Sequence, residues 1–341
     1  MNSEKKIKVL VVDDSFMFRE VIARGIESDE RIEVVAKAID PYDARDKILE
    51  FKPDVMTCDV IMPKMNGIEF IKKLLPQYPI PVIVLSAASD VVFDAMDAGA
   101  VDFVSKPDMQ SPKSVELFLY DLIEKIKAAA QAKVNHTIQQ DIVTSPVECY
   151  AMNKIIAIGA STGGTEAICH LLKQLSPKLP GILIVQHIPP MFSNLFAKRL
   201  NQQTGFDVKE AQNGDYIESG KVLIAPGEMH MKIKKVNDRY KVNVFSGEKV
   251  NGHCPSVDIL FESVALEAGK NSVGIILTGM GYDGARGMLA MRRKGARTIG
   301  QDEASSVVYG MPKVAYEIGA VEKQVSLNQI SSQLSAMLRR E

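Results

Sequence analysis

The chain has 341 residues, enough for two cores of ordinary size, because single cores stop growing near ~250–300 residues. It is 46% hydrophobic and 24% charged, and its 41 basic and 42 acidic residues leave a formal net charge of -1. That balance lacks the basic stripe of a nucleic-acid binder, and no apolar run approaches the ~18 residues of a membrane span, so neither nucleic-acid binding nor direct membrane insertion is expected.

The apolar run near the N-terminus, Val9 to Val12, is too short for a secretory leader and stops at Asp13 and Asp14. KIKVLVVDD, IEVVAKAID, DVMTCDVIM, PVIVLSA and VDFVSKP then read as five strands. Each is a nearly continuous apolar run, the pattern of strands buried on both faces of a parallel sheet. Helical patterns alternate with them, as in GIEFIKKLLPQY with Ile68, Ile71 and Leu75 at helical spacing. The expectation is a (βα)5 doubly wound, flavodoxin-like domain over residues 1–127.

From 128 to 152 the chain turns polar and is punctuated by Ser145-Pro146. Its first part extends the preceding helix, and the rest reads as a linker. A second alternation occupies 153–341: NKIIAIGAS, GILIVQHI, KVLIAP, SVGIILTGM and ARTIGQD as buried strands, with PSVDILFESVALEAG and DGARGMLAMRRKG as amphipathic helices. Gly295 closes the second helix, and HMKIKKVNDRYKVNVFSG reads as a β-hairpin around Asn237-Asp238. The fold class is therefore α/β, with two doubly wound domains. Cys58, Cys149, Cys169 and Cys254 are scattered without a CxxC pair, which suits reduced thiols in a cytoplasmic protein.

Binding sites of open parallel sheets form at the carboxyl ends of strands. In the first domain those ends carry Asp13 and Asp14, Asp59, Ser86, and Lys106 with Pro107. A lone Asp at a strand end is usually a cap or turn residue, but the combination is specific. Carboxylate oxygens in twos and threes suit Mg²⁺, a carboxylate such as Asp59 can act as a nucleophile toward phosphorus, and Lys106 and Ser86 supply groups for phosphoryl oxygens. VVDDS, DVIMPKMNG, VLSA and VSKP make this half resemble the receiver domains of two-component response regulators. The resemblance implies Mg²⁺ held by Asp13, Asp14 and Asp59, and phosphate accepted by Asp59 from a histidine kinase. It further implies readout through Ser86 and Lys106, an aromatic switch at Phe103, and a cis Lys106–Pro107 bond.

In the second domain IIAIG runs into the Gly-rich turn ASTGG and then a helix. Such a turn offers free N–H groups and a helix dipole, either for a dinucleotide or for a nucleophilic Ser161 beside oxyanion donors. GASTGG fits GxGxxG poorly, and no acidic residue follows in the segment GILIVQ where a ribose would be gripped. His187 at the end of the next strand and Asp283 in a later Gly-rich loop supply base and orienting carboxylate, since a triad is recognised by roles and not by order. His136 and His170 read as structural or solvent-facing, and His230 and His253 as structural in preference to substrate contacts. A nucleotide-binding output module stays open as an alternative. A DNA-binding output does not suit a second domain that lacks a helix-turn-helix with a basic face.

IGASTGG, VQHIPP, HCPSVDILFESVA, LTGMGYDGARGM and SSVVYGMP make this half resemble the protein-glutamate methylesterases of bacterial chemotaxis. With the receiver, the resemblance spans almost the whole chain. It implies a Ser161–His187–Asp283 triad, oxyanion donors near Thr162 and Met280, and no cofactor in the second domain. The implied reactions are demethylation of glutamate methyl esters and deamidation of glutamines on chemoreceptors, under control of an inhibitory receiver, in a cytoplasmic protein at receptor arrays. Cys254 stands where some relatives have Arg.

Overall fold

The computed structural model describes residues 5–87, 91–132 and 153–339. The chain divides near residue 138 into two compact units. The expected linker begins inside a helix, where Ala128 and Ala129 are buried; its residues 133–152, with His136 and Cys149, lie outside the described residues.

The first unit runs β1 (Ile7–Val12), α1 (Phe16–Ile26), β2 (Ile32–Ala38), α2 (Pro41–Phe51), β3 (Val55–Asp59), α3 (Gly67–Leu74), β4 (Val82–Ser86), α4 (Val92–Asp97), β5 (Asp102–Ser105) and α5 (Pro112–Ala129). Its sheet has the order β2-β1-β3-β4-β5, with every pair parallel. Val9 to Val12 and Val82 to Leu85 have no exposed surface, as the continuous apolar runs require of strands covered by helices on both faces. The helices start where side chains accept orphan N–H groups: Ser15 at α1, Asp40 before Pro41 at α2, and Ser111 before Pro112 at α5. The cis Lys106–Pro107 bond implied by resemblance is not found; Cys254–Pro255 carries the cis bond among the described residues. The trans isomer is the lower in energy by roughly 0.5–1 kcal/mol, and Lys106 reaches the acidic rim with it.

The second unit contains β6 (Ile155–Ala160), α6 (Gly164–Gln174), β7 (Ile182–Gln186), α7 (Pro190–Gln203), β8 (Asp207–Glu210) and β9 (Lys221–Ile224). The hairpin β10 (His230–Val236) and β11 (Arg239–Phe245) follows, then α8 (Val257–Glu267) and β12 (Ser272–Ile276). The chain ends with α9 (Ala285–Arg293), β13 (Arg297–Gln301), α10 (Met311–Glu317), β14 (Lys323–Val325) and α11 (Leu327–Leu338). Seven parallel strands take the order β14-β13-β12-β6-β7-β9-β8. The chain grows outward from β6 through β7, then returns to β6's other side with β12, so the switch in strand order falls between β6 and β12. Crevices for ligands open at such a point. The five expected strands and the hairpin are present, and Gly295 follows α9 with φ +84°. Two further strands, β8 and β14, close the sheet edges.

Candidate active site and phosphoacceptor site

At the rim of the first sheet, ligand oxygens of Asp13, Asp14 and Asp59 lie within 4.8 Å of one another. Asp13 and Asp59 are buried and Asp14 is exposed. Lys106 bridges the buried pair, with Nζ 2.8 Å from Asp13 Oδ2 and 2.6 Å from Asp59 Oδ2, and lies over the Phe18 ring at 4.8 Å. Burial pushes the Asp59 carboxyl above its usual range; Lys106 opposes this and the charge of Asp13 adds to it. Asp59 Oδ1 accepts only the Ile61 N–H, at 3.2 Å, among the described backbone donors. Three hard-oxygen donors at this spacing fit a divalent cation such as Mg²⁺, which takes one or two carboxylates and keeps waters for a phosphate. Ser86 is buried at the end of β4. Phe103 is not at the rim: it is buried in β5 edge-on to Phe93, with ring centroids 6.2 Å apart. Lys125 Nζ lies 5.1 Å from its ring centroid.

At the switch point of the second sheet, Ser161 follows β6 and His187 follows β7. Ala160 pairs with Gln186 in the ladder, so Ser161 and His187 are the next residues on adjacent strands. His187 N donates to Ala160 O at 3.1 Å. Gln186 ties the two loops together, its Nε2 donating to Ser161 O at 2.9 Å and His187 O at 3.1 Å. A Cβ at Gly164 would strike Gln186 Oε1 at 2.1 Å, and one at Gly279 would come within 2.7 Å of Ser161 Cβ. Both glycines are therefore required by close approach, and the loop after β12 sits directly against the serine.

Asp283 completes the group from the start of α9. His187 Nε2 lies 2.9 Å from Asp283 Oδ2, while His187 Nδ1 is buried without a hydrogen-bond partner. With Nε2 donating to the carboxylate, Nδ1 carries a lone pair that can accept a proton. No hydrogen bond joins Ser161 to His187; catalytic contacts of this kind often tighten only with substrate. Four further donors converge on the same carboxylate: Asn251 Nδ2 at 2.9 Å, Ser256 Oγ at 2.8 Å, Val257 N at 2.7 Å and Asp258 N at 3.2 Å. The last two are first-turn N–H groups of α8, so Asp283 caps that helix from a distant part of the chain. Burial works to raise its pKa, yet the His187 hydrogen bond and charge, with those of Asn251 and Val257, hold the carboxyl well below the usual carboxylate range.

The capping is reciprocal. Asp258, in the first turn of α8, accepts Gly287 N of α9 at 2.7 Å. Asn251 spans both carboxylates, its Nδ2 also 2.8 Å from Asp258 Oδ2. Burial raises the Asp258 carboxyl, partly offset by the Gly287 N–H.

Asn251 and Gly252 have φ of +53° and +83° and close a tight turn in which Val250 pairs with His253, as a type I′ turn demands. The same turn lays His253 flat on His187, ring centroids 3.7 Å apart and planes within 10°. His253 therefore belongs to the site, the less favoured of the two readings its sequence position allowed. Reading the sequence missed Asn251, Ser256, Asp258 and Gln186 as members; Asn-Gly before HCPS was the one local signal available. His230 is structural as expected: Nδ1 accepts Ser256 N at 3.2 Å and Nε2 meets Glu248 O at 2.8 Å. His170 sits on α6 with Asn328 and Gln174.

Part of the backbone around Ser161 is already hydrogen-bonded. Ser161 N is occupied by Thr278 O at 3.0 Å, and Gly164 N by Ser161 O at 2.7 Å. The N–H groups of Thr162, Gly163, Met280 and Gly281, on the two loops flanking Ser161, carry no hydrogen bond among the described residues. Free N–H groups near a strand-end serine are what an oxyanion hole would draw on.

A family model described as CheB methylesterase matches residues 156–334, and one described as a response regulator receiver domain matches 9–113. A protein-glutamate methylesterase/protein-glutamine glutaminase of Syntrophomonas wolfei is 56% identical over 335 residues, covering 98% of each chain. A like-named protein of Escherichia coli is 45% identical over 339 residues, covering 98% of this chain and 97% of that one. Among solved structures, the CheB methylesterase catalytic domain of Thermotoga maritima matches 54% of this chain and 98% of its own, with 33% identity and a TM-score of 0.53.

Proposed function

This chain belongs to the CheB methylesterase family, with a response regulator receiver domain in front of the enzyme, and from that premise we propose how its residues work. It is a protein-glutamate methylesterase/protein-glutamine glutaminase. The observation that carries the mechanism is the His187 ring: one nitrogen on Asp283, the other buried, unpartnered and beside the strand end that bears Ser161.

His187 Nδ1 takes the proton of Ser161, whose Oγ attacks the γ-carbonyl of a glutamyl methyl ester on a chemoreceptor. The N–H groups of Thr162 and Met280 bind the oxyanion. The protonated His187 passes its proton to the departing methanol, then activates the water that releases glutamate from the acyl-enzyme. A glutamine substrate follows the same path with ammonia leaving. Asp283 fixes the tautomer and stabilises the imidazolium.

Asp59 is the phosphoacceptor for a histidine kinase. Asp13, Asp14 and Asp59 would hold Mg²⁺, which when bound would supply charge neutralisation for the incoming phosphoryl group. Ser86 and Lys106 then hold the phosphoryl oxygens, and a change at Phe103 carries the signal onward. The unphosphorylated receiver blocks the hydrolase, and phosphorylation relieves the block by shifting a two-state equilibrium. No described helix is long and apolar enough to cross a membrane, consistent with an enzyme that meets its membrane-bound substrate from the cytoplasmic side, at receptor arrays.

The test is methanol release from methylated receptor by the full chain, with and without a small phosphodonor. Ser161→Ala should lower the rate by roughly 10⁴-fold or more. Asp59→Asn should keep the basal rate and lose the stimulation, which for a typical coupling of ~1–3 kcal/mol is about 5–150-fold. Residual full activity in Ser161→Ala would overturn the nucleophile; stimulation surviving in Asp59→Asn would overturn the switch.

A further inference from the structure

The β10–β11 hairpin stands out electrostatically in a chain of nearly zero net charge: residues 230–245 hold five basic side chains and one acidic. Opposed residues of an antiparallel pair share a face. The register pairs Met231 with Val244 and Ile233 with Val242, and these side chains enter the core of the second unit. The opposite face pairs His230, itself buried, with Phe245, then Lys232 with Asn243, Lys234 with Lys241, and Val236 with Arg239, and it turns outward from Lys232 onward.

A run of lysines on a strand is most often a solvated face, and two features argue against that here. First, the cations are seated on rings. Lys232 Nζ lies 4.6 Å from the Phe245 centroid, while Lys241 Nζ and the Arg239 guanidinium flank Tyr216 at 4.3 and 3.8 Å. Arg239 is paired with Glu218, but Lys232, Lys234 and Lys241 have no carboxylate within 4.0 Å among the described residues. Such seating fixes positive charge in place without cancelling it. Second, the face begins at the active site. His230 accepts Ser256 N at 3.2 Å, and Ser256 Oγ donates to Asp283 at 2.8 Å. With a rise of ~3.3 Å per residue, Lys232 and Lys234 stand about 7 and 13 Å from that anchor along the strand.

We propose that the outward face of this hairpin is the docking track for an acidic segment of the protein substrate, the segment that flanks the glutamyl side chain delivered to Ser161. The inference rests on the methylesterase reading and adds how the enzyme selects among esters. Lys232, Lys234 and Lys241 attract the flanking carboxylates, and the rings beneath Lys232 and Lys241 hold those two cations in place. Each reaction replaces a neutral ester or amide with a carboxylate, so the track also senses how far its substrate has been processed. Charge complementarity of this kind acts on encounter and affinity, not on the chemical step.

The experiment uses the full phosphodonor-treated chain and methylated receptor in nanodiscs, comparing wild type with Lys232→Gln/Lys234→Gln/Lys241→Gln and with the single variant Lys234→Glu at an exposed position. The triple variant should raise KM by about tenfold, at a few tenths to one kcal/mol per exposed charge pair. Its kcat and melting temperature should stay unchanged, and the salt dependence of kcat/KM should flatten. Lys234→Glu should shift KM in the same direction by a smaller factor. An unchanged KM in both variants would overturn the proposal. So would a KM effect that vanishes when anionic lipid is replaced by neutral lipid, which would assign the face to the membrane surface. A wild-type chain that releases no methanol from the receptor at all would instead refute the methylesterase reading.

Discussion

Asp59, which ends β3, and Asp283, in the loop that leads into α9, are two buried aspartates, 4% and 1% exposed, and their environments push them in opposite directions. Asp59 has one backbone N–H and the shared Lys106 ammonium, and burial raises its pKa. Asp283 has five donors, and its pKa falls despite deeper burial. Burial alone therefore decides nothing; the number of N–H and O–H groups aimed at the carboxylate does. The contrast matches the two tasks proposed for them. A phosphoacceptor exchanges partners each time it is modified, so its oxygens must be releasable. An orienting carboxylate must not move while a proton passes through the imidazole it holds.

The largest expected break in this comparison is Asp283→Asn. It should cut kcat for methanol release by about 10⁴-fold through the wrong His187 tautomer. It also tests the donors: because the native state holds this carboxyl low, its stabilising effect is complete above the unfolded pKa of ~3.9 and is lost as pH falls below it. Melting temperatures measured from neutral to acidic pH should show wild type converging on the variant in that window; parallel curves would contradict the saturated-carboxylate picture.

Next comes the releasable site. Asp14→Asn should weaken Mg²⁺ binding by at least about tenfold, since one unit-charge attraction at ~4 Å is worth a few kcal/mol even at an effective dielectric of about 20. Calorimetric titration of the unphosphorylated chain reads this directly, and an unaltered affinity would remove Asp14 from the metal set. The smallest effect is expected of Asn251→Ala. Losing its hydrogen bonds to Asp258 and Asp283 should cost about 1.5–3 kcal/mol of stability, with a fall in kcat and little change in KM. A rise in KM with kcat intact would show that the turn contacts substrate and does not position the His187–Asp283 pair.

Ser161 and His187 could be singled out because they follow unbroken apolar runs, whereas Asp283 stands in a Gly-rich loop beyond β12; the central strands were legible because IIAIG, ILIV and VLVV are such runs. The edge strands β8 and β14 were not: DVKE and KQV are polar, as edges that resist pairing with other chains tend to be. Nor could the donors of Asp283 be read, since Asn251 and Ser256 lie some 30 residues from it and meet it only after α8 and α9 have packed. Phe103 illustrates a different limit. Its position in VDFVSKP marks it by resemblance, but whether it turns toward the rim is a property of a state, and here it faces Phe93.

The reciprocal caps of α8 and α9 bear on how this protein can change over generations. In the proposed mechanism Asp283 orients His187, and it also caps the start of α8, so selection on folding and selection on turnover meet at one codon. A descendant freed from hydrolysis would still be pressed to keep an acceptor there, with Asn, Ser or Thr the replacements that satisfy the N–H groups of Val257 and Asp258. Ser161 carries no such second duty through its hydroxyl. Loss of activity in this lineage should therefore be recorded first at the serine, with the carboxylate position outlasting the chemistry it served.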